Sequence, residues 1–168
     1  MSEGSEHTTN QYLTFALDKE IYALATDTVK EVLQMTTITR IPRTPEFMRG
    51  VMNLRGHAVP VVDLRLKFGM KTIEDTVNTC IIIVDVMYDD EATQMGAVVD
   101  SVREVFEMDA AQIEAPPKMG TTIDSSFIRG MGRQEDDFII ILDIDKIFSL
   151  EELAAVVGQA GGAETSEA

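Results

Sequence analysis

Residues Asp27–Met35 read DTVKEVLQM and residues Asp100–Met108 read DSVREVFEM, and these two segments are identical at five of their nine positions. A second match follows in the same order along the chain, since FMRGV at Phe47–Val51 corresponds to FIRGM at Phe127–Met131. A third pair, PVVDL and IILDI, keeps the spacing of the second. A single short match can arise by chance, but three collinear matches indicate that the chain is an internal repeat of two related halves.

Each half has the same predicted plan: a β-hairpin, the repeated segment, a proline-containing loop, two further strands and a short helix. The last strand of each half ends in an aspartate, Asp63 or Asp143, which is a suitable helix cap. A half of about 70 residues is marginal for a core of its own, so the halves should pack on each other. The sequence therefore predicts a mainly β protein of two small five-stranded barrels lying side by side.

The two ends of the chain differ from its centre in composition. Residues 1–10 are polar, and we expect them to be flexible. Ser149–Glu152 has the form of a capping box and predicts a C-terminal helix that reaches Val157. Residues 158–168 are small and polar, and we expect disorder there. The folded domain is thus expected at residues 11–157.

Charge and composition exclude several classes of protein. The formal net charge of −15 argues against nucleic-acid binding, which needs a basic face. Residues 38–71 nevertheless carry seven cations against two acids, which suits either an ordinary solvated surface or a docking face for an acidic partner. No apolar run reaches the roughly 18–20 residues of a membrane span. Cys80 is the only cysteine; it excludes an internal disulfide, fits a reducing compartment and reads as a core thiol.

Residues that could carry catalysis are scarce. The chain has two histidines, His7 in the polar N-terminus and His57 beside a glycine turn, and no clustered metal ligands. Phosphate-binding and nucleophile motifs do not occur. A hydrolase using Asp63 and Asp143 is an alternative, but helix capping explains both aspartates. We therefore expect a binding protein with no catalytic residue, no metal and no cofactor.

The repeated segment suggests where a partner binds. If the halves are related by a twofold axis, Val29 and Val102 can face each other across a groove between the barrels. Strand alternation places Val29 and Glu31 on one face and Val32 on the other. We predict burial for Val32 and Val105, while exposure or burial of Val29 and Val102 stays open. This interpretation requires an open seam that is not filled by the chain's own side chains.

The run TPEFMRGVMNLRGHAVPVVDLRLKFG, residues 44–69, resembles the CheW family, the coupling proteins of bacterial chemotaxis, and the similarity extends over about residues 11–157. The resemblance implies two intertwined five-stranded SH3-like β-barrels. It also implies a non-catalytic cytoplasmic adaptor, recruited to membrane receptor arrays without inserting into the membrane. Its implied partners are the regulatory domain of the histidine kinase CheA and the cytoplasmic tip of methyl-accepting receptors.

The resemblance also implies which residues bind these partners. The receptor-facing set comprises Val29, Glu31, Arg55, Val102 and Val105, while Gly50 and Gly56 shape the strands around it. The Arg55 guanidinium could offer a bidentate fork to a partner carboxylate. Apolar strand surfaces at the barrel ends are expected to dock CheA, without individual residues being assigned. Two alternatives stay open: a CheW-like paralogue of a non-motility chemosensory pathway, and a small-molecule sensor with its pocket between the barrels.

Overall fold

The computed structural model describes residues 9–70, 74–88, 90–115, 125–134 and 137–148. The expected C-terminal helix and tail lie outside this part of the chain. Of the ten residues expected to form the flexible N-terminus, Thr9 and Asn10 lie in the described part, where they pair with Asp109 and Met108. The strands are β1 Thr9–Leu17, β2 Glu20–Ala25, β3 Val29–Gln34, β4 Met48–Leu54, β5 His57–Asp63, β6 Cys80–Tyr88, β7 Glu91–Val99, β8 Ser101–Asp109, β9 Ile113–Glu114, β10 Ile128–Gln134 and β11 Asp137–Leu142. The helices are α1 Leu64–Lys67 and α2 Ile144–Ile147.

The strands form two sheets that share one connectivity. One sheet has the order β3-β6-β7-β5-β4, and the other has the order β8-β1-β2-β11-β10-β9. When each strand of the first order is replaced by its repeat counterpart in the other half, the order becomes β8-β1-β2-β11-β10. The hairpin that opens each half therefore belongs to the sheet of the other half. This exchange confirms the predicted intertwining.

Both sheets curl so that their edges approach each other. In the first barrel, which is the β3-β6-β7-β5-β4 sheet, Leu33 of one edge strand packs in the same cluster as Met52 and Leu54 of the other. In the second barrel, which is the remaining sheet, Met108 of β8 lies against Gly132 of β10. The predicted pair of barrels is thus confirmed, except that the two-residue strand β9 adds a sixth strand to the second.

The largest core cluster lies between the barrels, and we call it the central cluster. Both barrels contribute side chains to it. Those of the second barrel include Leu13, Phe15, Leu17, Tyr22 and Leu24. Those of the first barrel include Ile82, Val84, Val86, Met95, Ala97 and Val99. The rings of Phe15 and Tyr22 stack with centroids 6.1 Å apart. Full burial of one such side chain contributes about 1.5–3 kcal/mol. The central cluster therefore holds the two barrels together as one folding unit.

A capping aspartate stands directly before each of the helices α1 and α2. The Asp63 carboxylate accepts a hydrogen bond from the Arg65 backbone N–H, and the Asp143 carboxylate accepts one from that of Asp145. Capping by Asp63 and Asp143 is therefore confirmed. No helix among the described residues is long and apolar enough to cross a membrane.

A buried arginine joins the two barrels. Arg65 is 1% exposed, and its Nε and Nη2 donate to both carboxylate oxygens of Asp63 at 2.9 and 2.8 Å. Its Nη1 donates to Asp100, which connects β7 to β8, at 2.9 Å. The second oxygen of Asp100 accepts from the backbone N–H of Asp18, in the turn between β1 and β2. One guanidinium thus ties α1 to the crossover between the barrels and, through Asp100, to the opening hairpin.

Asp75 and Arg49 extend this network toward the surface. Arg49 donates to Asp75 at 2.8 Å and to Asp63 at 3.0 Å. Hydrogen bonds to Asp63 raise the pKa of Arg65 despite the opposing effect of burial, and those from Arg49 lower the pKa of Asp75. Each buried charge therefore has a partner of opposite sign, as burial in a low-dielectric interior requires.

Candidate functional site

A β-bulge in β3 decides which way its valines face. Val29 pairs with Val84 of β6 and Glu31 pairs with Ile83, so Lys30 is an extra residue without a partner of its own. Val32 then pairs with Ile82. Because paired residues share a face, Val29 and Val32 both lie on the face that carries Val84 and the central cluster.

The same bulge occurs at the equivalent place in β8. Val102 pairs with Phe15 and Val105 pairs with Leu13, so two residues of β8 stand opposite Thr14 alone. The Thr14 hydroxyl fills this bulge, since it donates to the Glu104 carbonyl at 2.6 Å and accepts from the Glu104 N–H at 3.0 Å. Val102 and Val105 consequently share the face that looks toward the central cluster.

The four valines differ in exposure, and two predictions about them are wrong. Val32 and Val105 are 40% and 51% exposed, although we predicted their burial. Val29 and Val102 are partly buried against the central cluster. The prediction failed because it assumed unbroken alternation, and the bulge places Val32 on the same face as Val29 rather than on the opposite one.

The seam between the barrels is not an open groove, because the central cluster fills it. For the part of the chain that the structure describes, the expectation of an empty seam is therefore wrong, and the central cluster occupies the place where a small-molecule sensor would need its pocket. What stays accessible is the border of the seam, formed by Val29, Val32, Val102 and Val105, which we call the valine rim. Val32 was missing from the predicted receptor-facing set. It occupies the same position in the repeat as Val105, which was in that set, and this equivalence could have identified it.

Glu31 and Arg55 form an ion pair at the end of the first barrel. The two Nη atoms of Arg55 donate to the two carboxylate oxygens of Glu31 at 2.8 and 2.7 Å. Glu31 lies on the face of Ile83, which belongs to the interior of the first barrel. We call this end of the barrel its mouth. The ion pair spans the mouth from the edge strand β3 to the β4–β5 turn.

The β4–β5 turn fixes the position of Arg55. Leu54 pairs with His57, and the two residues between them have φ of +52° at Arg55 and +88° at Gly56. Positive φ at both positions is typical of a type I′ turn, which glycine accepts readily at its second position. The hydrogen bonds from Arg55 lower the pKa of Glu31, and the same bonds raise that of Arg55. The predicted free fork of Arg55 is thus already occupied by Glu31.

Gly50 allows a chain segment to cross the first barrel closely. Its φ is +138°, and a Cβ at this position would overlap the backbone carbonyl oxygen of Thr39. Thr39 and Val51 are linked there by two backbone hydrogen bonds of 2.8 Å. Gly50 and Gly56 therefore shape the barrel without offering side chains to a partner.

Comparison with known proteins assigns this architecture. The family model for the CheW-like domain matches residues 11–152. The chain belongs to the CheW-like family. This CheW-like chain is 35% identical to the chemotaxis protein CheW of Klebsiella aerogenes over 87% of its own length and 86% of that protein's. It is 31% identical to the chemotaxis protein CheW of Treponema pallidum over 85% of its own length and 84% of that protein's.

A solved structure agrees with the fold. The scaffolding protein TtCheW from Thermoanaerobacter tengcongensis superposes with a TM-score of 0.77 at 37% identity, covering 85% of this CheW-like chain and 94% of that one. The resemblance noted in residues 44–69 and the CheW-like fold are thereby confirmed. The predicted function of a chemotaxis adaptor or scaffold is confirmed at the level of the family.

Proposed function

We propose that this CheW-like chain couples the cytoplasmic tip of methyl-accepting receptors to the regulatory domain of CheA. It catalyses no reaction itself, and it acts in the cytoplasm at membrane receptor arrays. Family membership supports the adaptor role, and the valine rim supports the place of receptor binding. CheA is proposed to dock on apolar strand surfaces at the barrel ends.

The observation that carries the receptor site is the pair of exposed valines at equivalent places on the two barrels. Val32 and Val105 lie on opposite halves of the repeat, each next to a partly buried valine of the same face. A receptor tip is a helical hairpin, and apolar side chains on one helix face bind well to an apolar surface of this kind. The filled seam gives the rim a rigid base, so little ordering accompanies binding.

The Glu31–Arg55 pair supplies charge beside the rim. Glu31 accepts hydrogen bonds from both Nη atoms of Arg55. Glu31 therefore fixes the Arg55 guanidinium in one orientation. An oriented surface charge selects the register of a charged partner more than it adds affinity. Arg55 lies in residues 38–71, which carry seven cations against two acids, and this excess of positive charge suits an acidic receptor surface.

A titration of a soluble receptor-tip fragment tests this proposal. We expect Val105→Asp to weaken binding about tenfold or more, because a carboxylate loses its hydration at an apolar contact. Arg55→Asp should also weaken binding strongly, since it places two carboxylates side by side at Glu31. Val102→Ala should have a smaller effect.

Val77→Asp is the matched control, because Val77 is 95% exposed and lies outside the rim. Circular dichroism of every variant establishes that the fold is kept. Unchanged affinity in both Val105→Asp and Arg55→Asp would reject the rim as the receptor site. Receptor-dependent autophosphorylation of CheA, measured with and without this protein, tests the adaptor role separately.

A further inference from the structure

The two halves of the valine rim rest on equivalent β-bulges that are held in place by different means. In each bulge one residue of the inner strand stands opposite two residues of the edge strand: Ile83 opposite Lys30 and Glu31, and Thr14 opposite Arg103 and Glu104. Ile83 and Thr14 are both fully buried. One of them is a hydrocarbon, however, and the other carries a hydroxyl.

In the first barrel, ion pairs restrain the bulge through its side chains. Lys30 pairs with Asp85 of the neighbouring strand β6 at 3.1 Å. Glu31 pairs with both Nη atoms of Arg55 at 2.7 and 2.8 Å. Both residues of the edge strand that stand opposite Ile83 are therefore tied to other strands or turns of the same barrel.

The second barrel restrains its bulge through the backbone instead. Arg103 and Glu104 are exposed, and within the described ranges neither makes an ion pair. The Thr14 hydroxyl donates to the Glu104 carbonyl at 2.6 Å and accepts from the Glu104 N–H at 3.0 Å. One buried hydroxyl thus satisfies both backbone polar groups of a residue that the bulge removes from regular strand pairing.

The bulge in β8 decides which face Val105 occupies. From Val102 to Val105 the chain advances three residues along β8, while their partners Phe15 and Leu13 are two residues apart in β1. Residues three apart in an unbroken strand lie on opposite faces. The extra residue therefore brings Val105 to the face of Val102, and loss of the bulge would turn one of these valines away from the rim.

We propose that Thr14 is a positioning residue of the receptor site, because its buried hydroxyl holds the β8 bulge and so keeps Val105 on the valine rim. Thr14 touches no partner, since it is fully buried. This inference rests on the proposed binding of the receptor tip at the rim. It adds that the second half of the rim depends on one internal hydroxyl, whereas the first half depends on ion pairs.

Thr14→Val tests the first step of this inference in the free protein. The variant loses the hydroxyl but should fold, because Ile83 shows that the same place in the other barrel accepts an apolar β-branched side chain. The Glu104 N–H then has no acceptor. Its hydrogen exchange, measured by NMR on the full chain, should become roughly fivefold faster or more. An unchanged exchange rate would overturn the proposal whatever the receptor does.

Titration of a soluble receptor-tip fragment tests the second step. Thr14→Val should weaken binding roughly three- to tenfold, because fewer molecules hold Val105 on the rim. Thr14→Ser keeps the hydroxyl and should bind like the wild type. Thr79→Val is the matched control, since Thr79 is also buried, accepts from the Thr76 N–H at 2.7 Å and lies in neither β1 nor β8. It should bind like the wild type, although it also loses a buried hydrogen bond.

The background of Val105→Ala separates positioning from a general loss of stability. If Thr14 acts through Val105, Thr14→Val should weaken binding much less in this background, and an equal loss in both backgrounds would overturn the proposal. Wild-type affinity of Thr14→Val, with weakened binding of Val105→Asp, would also overturn it and leave the proposed function intact. Unchanged affinity of both Val105→Asp and Arg55→Asp would reject the proposed receptor site, and this inference with it.

Discussion

Replacing Arg65 with methionine should destabilise the fold strongly, because it removes the cation that three carboxylates share. Removing one partner of a buried ion pair costs about 3–5 kcal/mol. The loss falls at the lower end of this range, since Asp63 keeps its hydrogen bond from Arg49, and Asp75 and Asp100 are 35% and 21% exposed and regain hydration. We expect a decrease of about 3 kcal/mol in the free energy of unfolding, a large part of the roughly 5–15 kcal/mol of a typical domain.

Urea unfolding followed by circular dichroism measures this loss, and Arg129→Met is the matched control. Arg129 is an exposed arginine in β10 that forms no ion pair in the part of the chain that the structure describes. Its replacement should change the free energy of unfolding by less than about 0.5 kcal/mol. Arg65→Lys keeps the charge but loses the bidentate geometry. Its loss in the free energy of unfolding should therefore lie between those of Arg129→Met and Arg65→Met. A loss below about 1 kcal/mol for Arg65→Met would refute the central role of this guanidinium.

Three further substitutions test other parts of the structure. Gly50→Ala should lower the free energy of unfolding by about 2–4 kcal/mol, because its Cβ would overlap the Thr39 carbonyl at a positive φ. Gly56→Ala, which has open space around it, should cost only about 1–2 kcal/mol in the same urea titration, and equal losses would contradict the overlap. Asp75→Asn tests how the stability of the fold depends on pH. The hydrogen bond from Arg49 lowers the pKa of Asp75 below its ordinary value of 3.8. The contribution of Asp75 to the free energy of unfolding is therefore complete above pH 3.8 and is lost as the pH falls through the lowered pKa. The difference in urea midpoint between wild type and Asp75→Asn should therefore shrink in acid, and a difference that widened instead would contradict this assignment.

The repeat in the sequence was enough to predict two barrels, because each half carries the same order of strand and turn patterns. Pairing of Glu31 with Arg55 was not predicted, since the two are far apart in sequence and only the curl of the sheet brings them together. The directions of Val32 and Val105 were predicted wrongly because a bulge leaves little trace in the pattern of residues. One signal was available: Lys30 and Arg103, the extra residues, are both basic and occupy the same repeat position.

The exchange of hairpins also bears on how the chain folds as it is synthesised. Tyr22 in β2 pairs with Ile140 in β11, so the second barrel cannot close until β11 has left the ribosome. Contacts between residues so distant in sequence slow folding. A gene split between the halves would give two fragments, each holding strands of both barrels. Neither fragment would hold all the strands of either barrel, so each barrel would need both fragments.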